Sequence, residues 1–231
     1  MAGDVGAIVP AAGQGRRLGA QAEKAFVPLV GSPLIVHTLQ ALHDAASVQW
    51  IVLVAPKGQQ SRMQRLIGRH RLTKVCAIVE GASSRAGSVA RGFAALPIRA
   101  RWVLIHDGAR PCTSSTLIES VIAKAKRHGA VACGLPANLT VKAVDARQRV
   151  RLTLDREGLW LVQTPQVFDR RWFAEALARL NGLLTRFPDD AAMLEWAGFQ
   201  VQMVPGDPWN LKVTTREDLL LAEAILKSRR R

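Results

Sequence analysis

Tyrosine is missing from all 231 residues, and the six tryptophans and six phenylalanines are scattered along the chain. A surface that stacks nucleic-acid bases on interleaved aromatic and basic side chains is therefore a poor fit. Acidic residues are few: 18 Asp and Glu against 32 Lys and Arg leave a formal net charge of +14. That excess points to an anionic partner, a phosphorylated small molecule or a nucleic acid, or to no more than a soluble basic surface. Cys76, Cys112 and Cys133 are an odd, widely spaced set with no Cys-x-x-Cys pair, which excludes a disulfide framework, a zinc knot and dithiol redox chemistry. No run approaches the roughly 18 apolar residues of a membrane span. The opening Met1-Ala2-Gly3-Asp4-Val5-Gly6 lacks the basic region and apolar core of a signal peptide, so a cytoplasmic location is expected. His-Glu-x-x-His, Asp-x-Asp and Gly-x-Ser-x-Gly are absent too, against a zinc hydrolase, an Asp-x-Asp sugar transferase and a serine hydrolase.

What is present is an ordinary globular composition, 48% hydrophobic and 22% charged. The length suits one α/β domain over 1–231 better than two with separate cores. Short apolar runs at 5–9, 51–54, 75–79, 103–105 and 130–133 read as buried strands. Helical periodicity follows at 34–42, 63–67, 88–96 and 115–126, with Ser32-Pro33 offering a cap and first-turn proline to the first helix. Alternating strands and helices imply parallel pairing with right-handed crossovers, hence a Rossmann-like, doubly wound, mostly parallel sheet covered on both faces. Between 136 and 162 the helices stop. Runs at 140–144, 150–154 and 159–162, broken by Asp145-Ala146-Arg147-Gln148 and Arg156-Glu157-Gly158, predict a protruding antiparallel β-arm over 137–158 that packs on another subunit. Helices at 171–180, 191–197 and 215–227 and a strand at 200–204 complete the chain.

The chemistry concentrates where strands end. Pro10-Ala11-Ala12-Gly13-Gln14-Gly15-Arg16-Arg17-Leu18-Gly19 follows the first strand, at the edge where open α/β sheets bind ligands. Its glycines let backbone N–H groups approach phosphate and its arginines supply cations, so it reads as an anion loop. It matches neither the dinucleotide fingerprint nor a P-loop. Lys24 lies close enough in sequence to reach the same phosphates. Gly81-Ala82-Ser83-Ser84-Arg85-x-x-Ser88 offers backbone and hydroxyl groups to a base edge, or merely caps a helix. Asp107-Gly108-Ala109-Arg110-Pro111 supplies an acid suited to ribose hydroxyls or a metal and an arginine suited to an anion. Of the five histidines only His106 lies beside a candidate site, and a strand-end histidine reads as structural. The segments 163–168 and 210–214 are polar clusters at element ends.

Taken in order, these segments resemble the 2-C-methyl-D-erythritol 4-phosphate cytidylyltransferase family, CTP-dependent enzymes of the non-mevalonate isoprenoid pathway. The resemblance runs nearly end to end, through Ala11 to Arg17, Lys24, His106 to Pro111, Thr140-Val141-Lys142, Asp155 to Trp160, Thr164 to Phe168 and Asn210 to Thr214. It implies the nucleotidyltransferase fold. It also implies CTP seated by Pro10, Ala11, Ala12, Gly13, Gly15, Gly81, Ala82, Ser88, Asp107 and Gly108, with Arg17 and Lys24 on its triphosphate. Asp107, Arg110, Thr140, Arg156, Thr164 and Lys212 would hold methylerythritol phosphate, with Thr140 and Arg156 reaching over from a homodimer partner's arm. Arg17, Lys24, Arg156 and Lys212 are then the expected catalytic set. Mg²⁺ would come bound mainly through the CTP phosphates, with no firm protein ligand and Asp107 as a candidate.

The inventory agrees with that chemistry independently. A phosphate monoester has a second pKa of about 6, so it attacks as a dianion without a general base, and the missing base is expected. The protein has to align two polyanions and neutralise charge on departing pyrophosphate. Ala25, Gly87, Pro188 and Ala192 depart from the family pattern at positions that bear on the alcohol phosphate. Ribitol-5-phosphate cytidylyl transfer is accordingly the near alternative, and an RNA-binding protein on an inactive transferase fold the distant one.

Overall fold

The computed structural model describes residues 3–13, 23–180 and 186–229. The apolar run Val5–Pro10 forms β1 at the middle of the main sheet. Pro28–Leu29 (β2) and Ser32–Pro33 (β3) pair antiparallel around Val30 and Gly31, both at positive φ. Then come α1 (Leu34–Asp44), β4 (Val48–Ala55), α2 (Gln60–Arg69), β5 (Val75–Glu80), α3 (Arg85–Ala94) and β6 (Trp102–Ile105). The chain continues through α4 (Ser115–His128), β7 (Ala130–Pro136), β8 (Val141–Val144), β9 (Val150–Leu154) and β10 (Trp160–Asp169). It closes with α5 (Arg170–Arg179), α6 (Asp190–Trp196), β11 (Gln202–Pro205) and α7 (Arg216–Ser228).

The seven-stranded sheet has the order β11-β7-β10-β6-β1-β4-β5, and β10 alone among them runs antiparallel to its neighbours. Alternation along β1 sorts its side chains. Val5, Ala7 and Val9 pack with α1, α2 and α4, whereas Ile8 faces the layer of α3, α5 and α6. Both faces are thus covered, as the near-continuous apolar strands require. α7 makes a third cluster, Ala222 with Val27, Leu29, Leu34, Cys112 and Val213. Caps define the helix starts: Ser84 accepts from Gly87 N at 3.0 Å, Ser114 from Leu117 N at 3.2 Å, and Thr215 with Asp218 forms a capping box. No helix among the described residues is long and apolar enough to cross a membrane.

Three local expectations are corrected. The run 159–162 is not a third arm strand, because Trp160–Asp169 pairs with both β6 and β7 inside the main sheet. The arm proper is the two-stranded β8–β9 hairpin. The polar segment 163–168 lies within β10 rather than at its end, beside a register shift between Val162 and Gln166 that lets Gln163 and Thr164 turn inward. Finally, Ser32 does not cap α1 and Pro33 is not in its first turn; these residues pair with β2, and Pro33 stands at the N-cap of α1, which begins at Leu34 without a side-chain cap.

Because β4 and β5 lie on one side of β1 and β6 on the other, the chain reverses its winding direction at β1. The carboxyl ends of β1 and β6 therefore open a crevice at this switch point.

Candidate active site

A cleft of about 620 Å³ fills that crevice. It is lined by Pro10, Ala11, Ala12 and Gly13 after β1, Ala82 and Ser88 near the start of α3, Asp107 and Gly108 after β6, and Lys24 and Lys212. All were read from the sequence as site residues, and the fold brings them to one rim. Gly15 and Arg17, with 14–22, lie outside the described residues.

The loops are set by close approach. A Cβ on Gly81 would stand 2.3 Å from the Ala12 Cβ, so only glycine lets the segment after β5 lie against the one after β1. Backbone bonds pin both, Ala11 N to Val54 O and Gly81 N to Ala55 O, each at 2.9 Å. Ser88 is turned inward to the loop: its hydroxyl accepts from Ala82 N at 3.0 Å and donates to Ser84 O at 2.9 Å.

The floor is a charge cluster. Asp107 meets Lys212 Nζ at 2.7 Å, Arg85 Nε at 3.1 Å and Arg110 Nε at 3.9 Å. Arg85 also reaches Asp190 at 2.7 Å. Burial alone would raise the Asp107 carboxyl, but the Arg85 and Lys212 cations outweigh it and hold the group well below the usual carboxylate range. Asp190 goes the other way, since its complete burial is only partly offset by Arg85. Burial likewise opposes the Arg110 cation, which Asp107 partly restores. Arg110 Nη1 donates to Asn210 O at 2.6 Å, while its buried Nε has no hydrogen-bond partner among the described residues. Three cations against two carboxylates leave the floor electropositive, with an arginine donor to spare, as an anion seat needs.

Other expected residues sit apart from the cleft wall. Thr164 is buried behind Asp107, its hydroxyl accepting from Asp107 N at 3.0 Å. Thr140 and Arg156 are exposed on the arm, where Arg156 Nη1 donates to Asn138 O at 2.8 Å. Nothing local in the sequence marks Arg85, whose tie to Asp190 spans 105 positions.

The model of the 2-C-methyl-D-erythritol 4-phosphate cytidylyltransferase family matches residues 5–228. The chain belongs to this family. It is 40% identical over 230 residues to the cytidylyltransferase of that name from Desulforamulus reducens, covering 98% of this chain and 97% of the relative. The relative of the same name from Synechococcus elongatus is 40% identical over 226 residues, with 96% of each covered. Among solved structures, the Thermus thermophilus cytidylyltransferase superposes with a TM-score of 0.80 at 32% identity, covering 97% of this chain and 99% of that one. The Anaerococcus prevotii 4-diphosphocytidyl-2C-methyl-D-erythritol synthase gives 0.82 at 27%, with the same coverage.

For a cytidylyltransferase, the donor set decides how a cation can sit. No three His, Cys, Asp or Glu side chains cluster into a cage among the described residues. Asp107 is the acid that lines the cleft, and Lys212 and Arg85 hold its two oxygens. Such a set fits Mg²⁺ delivered on phosphate oxygens with at most one carboxylate added.

Proposed function

We infer that this chain transfers CMP from CTP to 2-C-methyl-D-erythritol 4-phosphate, releasing pyrophosphate and forming 4-diphosphocytidyl-2-C-methyl-D-erythritol for isoprenoid precursor synthesis. The observation that carries this reading is the convergence of Lys24, Lys212, Asp107 and Pro10 to Gly13 on one cleft at the switch point. CTP lies along Pro10–Gly13, with its base and ribose toward Gly81, Ala82, Ser88, Asp107 and Gly108; Gly15, outside the described residues, is assigned to the same nucleotide. Lys24 faces the triphosphate, and Arg17, outside the described residues, is assigned to the same group. The acceptor phosphate lies on Lys212 and Arg110, beside Asp107 and in front of Thr164.

One acceptor phosphate oxygen attacks the α-phosphorus in line, and the bond from that phosphorus to the oxygen bridging to the β-phosphate breaks. Pyrophosphate leaves with that oxygen, and no proton need be removed from the nucleophile. Lys24 and Arg17 neutralise the charge moving onto the leaving group. Mg²⁺ bound to the CTP phosphates would add Lewis-acid stabilisation of the same charge. Lys212, Arg110 and the partner's arm aim the attacking oxygen.

The arm over 137–158 completes the site in a homodimer, with Thr140 and Arg156 placed over the other protomer's cleft. Supporting this, Leu139, Val144, Val150 and Leu152 on the arm and Leu161 and Val162 beside it are each more than a third exposed. An apolar patch of that extent calls for a covering surface.

Pyrophosphate release with CTP and each alcohol phosphate tests the assignment. Methylerythritol phosphate is the expected acceptor. Release with ribitol 5-phosphate alone would replace the substrate, and no release alongside tight, salt-sensitive RNA binding would replace the class.

A further inference from the structure

Behind the cleft, five groups form an unbroken run of hydrogen bonds whose ends leave only one direction open. Asp107 N–H donates to Thr164 Oγ1 at 3.0 Å, and Thr164 Oγ1 lies 3.0 Å from His106 Nδ1. His106 Nε2 lies 3.0 Å from Thr113 Oγ1, whose hydroxyl has Asn210 Oδ1 and, at 3.2 Å, Arg110 O as acceptors. A backbone N–H can only donate and a carbonyl oxygen can only accept. The Asn210 amide is oriented independently, since its Nδ2 donates to Thr164 O at 2.8 Å and to Gln163 Oε1 at 3.2 Å. Thr113 must therefore give its proton to a carbonyl and receive one from His106 Nε2–H, which leaves Nδ1 to accept from Thr164. His106, Thr113, Thr164 and Asn210 are all buried, where leaving one of these polar groups unpaired would be costly.

The two ends of this run carry the charged groups of the acceptor seat. Lys212 lies two residues beyond Asn210, and its Nζ returns to the Asp107 carboxylate at 2.7 Å, closing a circuit. Arg110 holds the Asn210 carbonyl. We propose that His106, neutral and carrying its proton on Nε2, is a positioning residue that sets the separation of Asp107 from Lys212 through Thr164, Thr113 and Asn210. This rests on the transferase reading and adds to it a residue that touches no substrate. Burial, with Arg110 opposing and Asp107 favouring the charge, lowers the imidazolium pKa to about 3, consistent with a ring that stays neutral.

Nitrogen-15 NMR of the full chain reads the tautomer without substrate. His106 should show an unprotonated Nδ1 and a protonated Nε2, unchanged between about pH 5 and 8 where an ordinary histidine titrates. A proton on Nδ1, or titration in that range, overturns the proposal. Kinetics supply the second arm. Thr113→Val should lower kcat/KM for the alcohol phosphate about 10- to 100-fold, as small misplacements in a site do, while CTP binding, carried mostly by the loops after β1 and β5, weakens far less. Thr113→Ser, which keeps the hydroxyl, should restore it. Equal behaviour of the two variants, or CTP binding lost in step with turnover, overturns the positioning role. A wild-type chain inactive with both alcohol phosphates would sink the transferase reading, and the NMR tautomer would still judge the relay by itself.

Discussion

Between His106 and Thr113 the chain pairs its polar groups with its own distant residues, Arg110 Nε excepted, whereas between Ala137 and Gly158 it leaves apolar ones uncovered. In the first stretch Asp107, Arg110 and Thr113 are buried, and all three are tied to residues far away in sequence. In the second, the bonds of the side chains stay local: Asp145 holds Arg149, Lys142 holds Thr153 and Arg156 holds Asn138. Leu152 and Val150 are more than half exposed. A polar rim tied together within one protomer can be organised before ligand arrives. An apolar arm that is incomplete calls for something else to cover it.

The sharpest way to break this contrast is to remove the cation at the rim that serves two carboxylates. Arg85→Ala strands the buried Asp190 carboxylate, and losing one partner of a buried ion pair costs about 3–5 kcal/mol. Urea denaturation should show a loss of that size; a change under about 1 kcal/mol would mean that the rim does not depend on its internal pairing.

Next in size is a test that sets rim against arm directly. Lys24→Ala should cut turnover at least about 100-fold, as loss of a charge-stabilising donor does. Arg156→Ala, on the arm, should also be inactive, and mixing the two variants should restore one intact site per mixed dimer. Assays on confirmed heterodimers that recover nothing would show that the arm serves its own protomer or none.

The smallest effect on stability is expected on the arm itself. Leu152→Asp should move protomer stability by less than about 0.5 kcal/mol, because the side chain is already exposed, yet shift the dimer toward monomer in sedimentation. Unfolding of the protomer instead would show that the hairpin is part of the core.

The parallel strands were legible because burial on both faces makes them continuous apolar runs, as in Ile51 to Val54. Strand β10 was legible only at its start, in the run 159–162: Gln163, Thr164 and Gln166 interrupt the pattern beyond it, yet all three are buried. Those residues are polar because they serve the relay and the cap of α6, where Gln166 Oε1 accepts from Ala191 N at 3.0 Å. Sequence pattern thus failed where a functional site overrode it. Within the site, Pro10 to Gly13 and Asp107 were readable from their place at strand ends, on strands whose apolar runs were themselves clear, and Lys24 from its closeness in sequence to the first loop and from the family resemblance. Arg85, Asp190 and Asn210 were not, since what matters about them is distance in space to residues about 20 to 110 positions away.

Reversal of β10 has one more effect. Pro136 and Trp160 are register partners, and Ala137 N–H donates to Leu159 O at 2.9 Å, so the arm leaves and re-enters the sheet through a single gateway. A module whose entrance and exit are neighbours can be lengthened, trimmed or exchanged without shifting a rung of the ladder beneath it.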